Sequence, residues 1–209
     1  MNLQVKARLE DTRTRIMDVA DGLFRQLGFA KTTVADIASQ LQMSPANVYR
    51  FFPSKEAIVQ SICRRCLSQL EEKAWVIGRS RGPAADRIEQ LVLEVVRYHK
   101  ENLMVEKRVH DIVLVAIESN WDAIETHKDA IRNICELILR DGIASGEFEA
   151  VNPAETSRLM MRAFVAFMHP LLLAHCVQQE FENDAEIEAE ARKTVRFVLK
   201  AITPHKART

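Results

Sequence analysis

The feature that most constrains this chain is the spacing of its apolar residues. They recur every three to four positions along almost the whole length and nowhere alternate over a sustained run. A period near 3.6 belongs to an amphipathic helix, and a period of two to a half-buried strand. Only six Gly and six Pro interrupt 209 residues, so few points break the helical pattern. The expected fold is all-α with about nine helices, an N-terminal three-helix helix-turn-helix head joined to a C-terminal helical bundle. At 47% apolar and 28% charged residues, the chain can bury such a core and is not a disordered one.

Local signals place the helices. The first fits 12–27, with Ile16, Ala20, Leu23, Phe24 and Leu27 on one face and Gly28 as its stop. The second fits 34–41, where Thr33 caps and Asp36 follows three residues later. Ser44-Pro45 opens the third, which ends near Phe52-Pro53, and Ser54 caps a longer fourth. Beyond the loop Gly78 to Pro83, helices are expected near 84–101, 106–118, 121–144, 153–177 and 184–202. The head is thus residues 1–53, with the helix-turn-helix at about 33–52. The body is 54–209, with the helix 54–77 as connector.

Net charge is zero, but it is unevenly spread. Residues 1–66 hold ten basic and six acidic side chains, so this N-terminal stretch carries +4 and the remainder −4. A basic head on an acidic body points to a polyanion as partner of the head. Four Cys are too few for a disulfide scaffold. The apolar stretch 163–174 is interrupted by His169-Pro170 and falls short of the ~20 residues of a membrane helix. No apolar leader follows Met1, so a cytoplasmic protein with no membrane partner is expected.

Catalytic and metal signatures are poor. There is no nucleophile elbow, Gly-rich phosphate loop or plausible triad, so no catalytic residue, no cofactor and no enzyme activity are expected. Cys63-Arg64-Arg65-Cys66 has the gap of a metal or redox motif, but it lies inside a helix without a second pair. No metal site is expected either.

The head carries the informative motif. Two short helices joined by a tight turn form a helix-turn-helix, whose second helix can enter the major groove. Ile37, Ala38 and Leu41 must face that helix, and Val48 must plug the gap between the two. The turn Gln42-Met43-Ser44 has no Gly, so Gln42 must accept an unusual backbone or the turn must differ slightly.

Thr32-Thr33-Val34-Ala35-Asp36-Ile37-Ala38 and Ser44-Pro45-Ala46-Asn47-Val48-Tyr49-Arg50-Phe51-Phe52-Pro53-Ser54-Lys55-Glu56-Ala57 together resemble the DNA-binding signature of TetR-type transcriptional regulators. The resemblance covers roughly residues 12–62. It extends to the body in length, helix count and the stretch Asp141 to Phe148. It implies a dimeric regulator, most plainly a repressor, bound to a palindromic double-stranded DNA operator and released by a small-molecule inducer held in the body.

The implied DNA-binding set is Thr33, Ser44, Pro45, Ala46, Asn47, Tyr49, Arg50 and Lys55. Asn47 can read adenine, Ala46 can touch a thymine methyl and Arg50 can grip guanine. Tyr49 and Lys55 match family positions that grip phosphates, and Lys6, Arg8, Arg13 and Arg15 can add phosphate contacts from an N-terminal arm. A homodimer seam is expected along Leu159, Ala163, Phe167 and Leu171 on one helix and Val195, Val198, Leu199 and Ile202 on the last. Candidate ligand contacts are Met104, His110, Trp121, Met161, Phe164, Phe167 and His169. Two other readings compete: an all-α binding or carrier protein, and a metal- or thiol-sensing variant using Cys63, Cys66 and residues such as His110, His127, His169 and His175.

Overall fold

The computed structural model describes residues 3–103, 122–179 and 183–204. Among them are ten helices and no strand. The expected helix at 106–118 lies outside the described residues. Contacts divide the described chain into two units, 3–67 with 122–124, and 68–103 with 125–179 and 183–204.

The head unit is built from α1 (Leu3–Leu27), α2 (Val34–Gln40), α3 (Pro45–Tyr49) and the first half of α4 (Lys55–Gly78). α1 starts earlier than its capping signals imply. Nothing in residues 3–11 breaks a helix, and the Thr12 hydroxyl donates to Arg8 O at 2.9 Å rather than capping. Lys6, Arg8, Arg13 and Arg15 therefore sit on a helix, not on an extended arm. Gly28 ends α1 with φ 89° while its N–H donates to Phe24 O, a left-handed stop that costs glycine nothing. Ile16, Ala20 and Phe24 of α1 meet Ile37 and Ala38 of α2, Val48 of α3, and Ile58 and Ile62 of α4 in one core. Because Ile58, Val59 and Ile62 belong to that core, the opening turns of the connector helix pack with the head.

The body unit takes the rest of α4, with α5 (Ala84–Leu103), α6 (Asp122–Ala144, from Glu125 on), α7 (Pro153–Ala163), α8 (Val165–Met168), α9 (Pro170–Gln179) and α10 (Asp184–Leu199). The single helix expected over 153–177 is three. Pro170 has no N–H to continue the ladder and disfavours helix in the residue before it, and His169 is extended at φ −104°, ψ 118°. The second break falls at Phe164, where φ −90°, ψ 4° and a bond from Phe167 N–H to Phe164 O tighten the turn.

The stretch Asp141 to Phe148 ties α6 to α5. Glu147 accepts from the N–H groups of Ala84 and Ala85 at 2.6 and 2.8 Å, satisfying two open donors at the start of α5. Asp141 pairs with the buried Arg87 at 2.9 Å. Gly142 allows this approach, since a Cβ there would lie 2.8 Å from Ala84 Cβ and collide with the Phe148 ring. On the far side of α5, Arg97 grips Glu188 of α10 through two bonds of 2.8 and 2.7 Å, and Arg192 reaches Glu89 at 2.5 Å. No helix among the described residues is long and apolar enough to cross a membrane.

Candidate nucleic-acid interface

α2 begins with a reciprocal cap. Thr33 N–H donates to Asp36 Oδ2 at 2.8 Å, and Asp36 N–H donates to Thr33 Oγ1 at 3.1 Å. Hydrogen bonds from Thr33 hold the Asp36 carboxyl below its ordinary pKa. The helix ends with Met43 N–H donating to Ala38 O and Gln42 N–H to Ser39 O, a Schellman closure that puts Gln42 at φ 55°. The unusual backbone expected at Gln42 is present.

Ser44 then caps α3, its hydroxyl accepting from Asn47 N–H at 3.2 Å, with Pro45 at the first helical position. Val48 is fully buried between the two helices and fixes how α3 is turned. The opposite face is therefore offered to solvent. Ser44, Pro45, Ala46, Tyr49 and Arg50 are exposed, Tyr49 by 51%, and Asn47 is half-buried. The Arg50 guanidinium is 3.5 Å from Asn47 Oδ1, a contact weak enough to yield to a base edge.

Lys55 and Arg13 sit differently from the rest of the set. Lys55 Nζ donates to Phe29 O at 2.6 Å and to Thr32 O at 3.0 Å, while lying 4.2 Å from the Phe29 ring centre. Arg13 donates to Phe51 O at 2.9 Å and to the Ser61 hydroxyl at 3.2 Å, stacked 4.1 Å from the Phe52 ring centre. Two cations thus fasten the chain just before α2 and just after α3. Their charge is largely engaged within the protein, while Lys6, Arg8 and Arg15 remain exposed.

This arrangement, two crossed short helices with the second presenting polar and aromatic groups, has clear counterparts. Residues 16–62 match the family model for bacterial regulatory proteins of the tetR family, and residues 84–187 match the tetracyclin repressor-like C-terminal domain. The chain belongs to the TetR family of transcriptional regulators. The regulator UidR of Escherichia coli (strain K12) is 28% identical over 166 residues, 77% of this chain and 80% of its own. The repressor KstR2 of Mycolicibacterium smegmatis is 26% identical over 149 residues, 65% of this chain and 67% of its own. The solved structure of FadR from Bacillus subtilis, in complex with stearoyl-CoA, shares the fold. Its TM-score is 0.62 at 19% identity, over 90% of this chain and 98% of that one.

In the TetR-like body, the candidate ligand contacts divide. Phe164 and Phe167 are buried in the main core, with Met161 half-buried against it. His169 is half-buried at the break between α8 and α9. Met104, His110 and Trp121 lie outside the described residues. A shallow groove of about 450 Å³, lined by Trp75, Arg79, Asn133, Glu136, Leu137 and Arg140, includes none of these candidates.

Sequence reasoning missed His99. It is 3% exposed on the buried stripe of α5 that runs through Ile88, Val92 and Val95, so a His at helical spacing on an apolar face was the available signal. Burial, with His127 and His169 nearby, pushes it down to about 3, so the ring is neutral. His99 Nδ1 and His169 Nδ1 are both buried with no hydrogen-bond partner among the described residues. Each such group costs about 1–3 kcal/mol, and native proteins keep few of them. His127 differs, because its Nδ1 lies 3.0 Å from Glu71 Oε1; burial still lowers its pKa against the opposing carboxylate.

The expected dimer stripe is partly used up within the chain. Phe167, Val195, Leu199 and Ile202 are buried in the body's own core; α10 turns Val195 and Leu199 inward, and its ion pairs with α5 hold them there. These four are not available to a partner. Leu159 and Ala163 are exposed, and Leu171 and Val198 half-buried. Also exposed in the body are Val76, Val165, Leu172 and Phe197, the last by 75%.

None of the four cysteines is joined in a disulfide. Burial raises Cys63 to about 11 and Cys135 to about 12, so neither is a thiolate near neutral pH. Among the described residues no three His, Cys, Asp or Glu side chains meet in a way that would hold a metal ion.

Proposed function

We propose that this TetR-family regulator is a repressor that binds a near-palindromic operator as a dimer, one α3 per half-site, and leaves it when a small molecule occupies the body. The observation that carries the reading is the presentation of α3. Val48 anchors one face while Ala46, Asn47, Tyr49 and Arg50 stand on the other, matched to base edges and phosphates. Thr33, Ser44 and Pro45 frame that face, and Lys55 holds it in position.

A single short recognition helix binds weakly, mainly through salt-sensitive phosphate contacts. Two heads roughly 34–36 Å apart on a two-fold site supply the missing affinity and specificity. The surface that fits a partner copy comprises Leu159, Ala163, Val165, Leu171, Leu172, Phe197 and Val198. It gathers most of the large exposed apolar side chains of the body onto its last helices. Repression follows the relative KstR2, which is named a repressor, and a small-molecule effector follows the FadR structure with stearoyl-CoA. A coupling of ~1–3 kcal/mol between body and head would change operator affinity 5–150-fold. The DNA partner implies work in the cytoplasm.

The test is selection of bound duplexes from a random pool at two salt concentrations. Recovery of one palindromic motif occupied by a dimer is expected. Recovery of only salt-sensitive, sequence-blind binding would remove the operator reading.

A further inference from the structure

We propose that His99 and His169 form the polar floor of a ligand site in the body, one that takes a small apolar molecule bearing a single neutral oxygen function, a hydroxyl or a carbonyl. This rests on the reading of the body as the ligand-responsive part.

Three elements bring the groups together. Leu70 of α4, Val95 and Tyr98 of α5, and Met168 at the end of α8 pack as one small apolar cluster. Glu71, His99 and His169 are the next residues along each element. His127 of α6 joins them through its contact with Glu71. The Nδ1 atoms of His99 and His169 are then the two polar atoms of this group that are buried and unpaired among the described residues. Protein groups normally leave such atoms open only where water, an ion or a ligand pairs them.

The chemistry of the set selects the ligand class. Both imidazoles are disfavoured as cations, so an anion would find no imidazolium here. Glu71 adds a carboxylate to the neighbourhood, and the nearby Lys128 ammonium pairs with Glu125 at 2.8 Å. A neutral imidazole offers one N–H and one lone pair, which a hydroxyl can match in either tautomer and a carbonyl in one. The flanking Leu70, Val95, Tyr98 and Met168 suit an apolar frame.

The position also offers a route to regulation. His169 is the extended residue that separates α8 from α9, and α8 and α9 carry the exposed Val165 and Leu172. A molecule hydrogen-bonded at His169 therefore bears on the joint between segments of the proposed dimer surface.

The test uses the full chain with 15N-labelled histidine and phenol as the probe, with benzoate and toluene as comparators. Phenol is expected to move the imidazole 15N resonances of His99 and His169. Its dissociation constant should rise at least ten-fold in His99→Phe and in His169→Phe, and benzoate should bind at least ten-fold more weakly than phenol. If His99→Phe does not fold, His169→Phe at its half-buried position carries the comparison. Silent imidazoles, or phenol affinity unchanged in the variants, overturns the site. Equimolar zinc shifting His99, His127 and His169 together overturns it in favour of a metal centre. Operator affinity is read in the same samples. Phenol seated at the imidazoles without any effect on operator affinity supports the site and counts against ligand release.

Discussion

The Lys55 ammonium lies 2.6 Å from the Phe29 carbonyl oxygen, across 26 residues of chain, with a second bond of 3.0 Å to Thr32 O. A cation at this place in the motif invites a phosphate, yet two of its three N–H groups already bind the loop that leads into α2. Its main work is to hold the helix-turn-helix in register. Lys55→Met is therefore expected to destabilise the head by roughly 1.5–3 kcal/mol, the range for hydrogen bonds to a charged group. It should weaken binding to every DNA sequence while leaving the slope of log affinity against log salt unchanged. Denaturant melts and salt titrations check both parts. A slope reduced by about one phosphate would return Lys55 to the DNA-contacting set.

Asn47 and Tyr49 are expected to separate base reading from phosphate binding. Asn47 sits half-buried in the first turn of α3 with Arg50 beside it, and Tyr49 is exposed two residues on. Asn47→Ala should relax preference at one base pair, costing ~1–3 kcal/mol there. Tyr49→Phe should lower affinity alike for all operator variants. Binding measured against single-base operator variants distinguishes them; an even loss for Asn47→Ala would end its base-reading role.

Gln42 is held at φ 55° in the turn, where L residues are strained by about 1–2 kcal/mol and glycine is not. Its side chain is exposed, so replacement removes no packing. Gln42→Gly is expected to stabilise the head by roughly 0.5–1 kcal/mol, after the extra chain entropy of glycine is charged against the relief. Denaturant unfolding of the two proteins measures the difference. A loss of stability would mean that Gln42 makes contacts that outweigh its strain.

The features legible in the sequence were those set by near neighbours. The Thr33–Asp36 cap, the Ser44-Pro45 start of α3, the strain at Gln42 and the interruption at His169-Pro170 each follow from residues within a few positions of one another. Lys55 was not legible as a clamp, since its partners are backbone carbonyls 23 and 26 residues away that carry no side-chain signal. The dimer stripe misled for another reason. Periodicity shows that Val195 and Leu199 share an apolar face but not whether their own chain or a partner covers it, and α5 covers it. His99 was passed over because one His on an apolar stripe has no motif around it.

The histidine group predicts how stability follows pH. The folded pKa of His99 is about 3 against an ordinary 6.5, so the unfolded chain binds a proton that the folded chain refuses. Stability is then full above about pH 6.5 and falls as pH drops below it. Between pH 7.5 and pH 5 the loss is about 2 kcal/mol, and His127 and His169, also lowered by burial, act in the same direction. The lowered carboxyls of Asp36 and Glu188 titrate below this window. Urea unfolding at the two pH values is the measurement, with His99→Phe expected to remove most of the dependence. A profile unchanged in that variant would assign the effect to other groups.

Phe197 is exposed by 75% on α10 and Leu159 by 57% on α7, while neighbours on the same helices fill the core. A charge at either place meets water in a monomer and is buried unpaired in a dimer, where removing it from water costs several kcal/mol. Phe197→Glu and Leu159→Glu should therefore leave the folded body intact but shift the protein from dimer to monomer in sedimentation. Operator affinity should fall at least a hundred-fold, because one head cannot span both half-sites. Both variants remaining dimers at micromolar concentration would place the seam elsewhere on the chain. A monomeric variant that still bound the full operator tightly would instead separate dimerisation from DNA recognition.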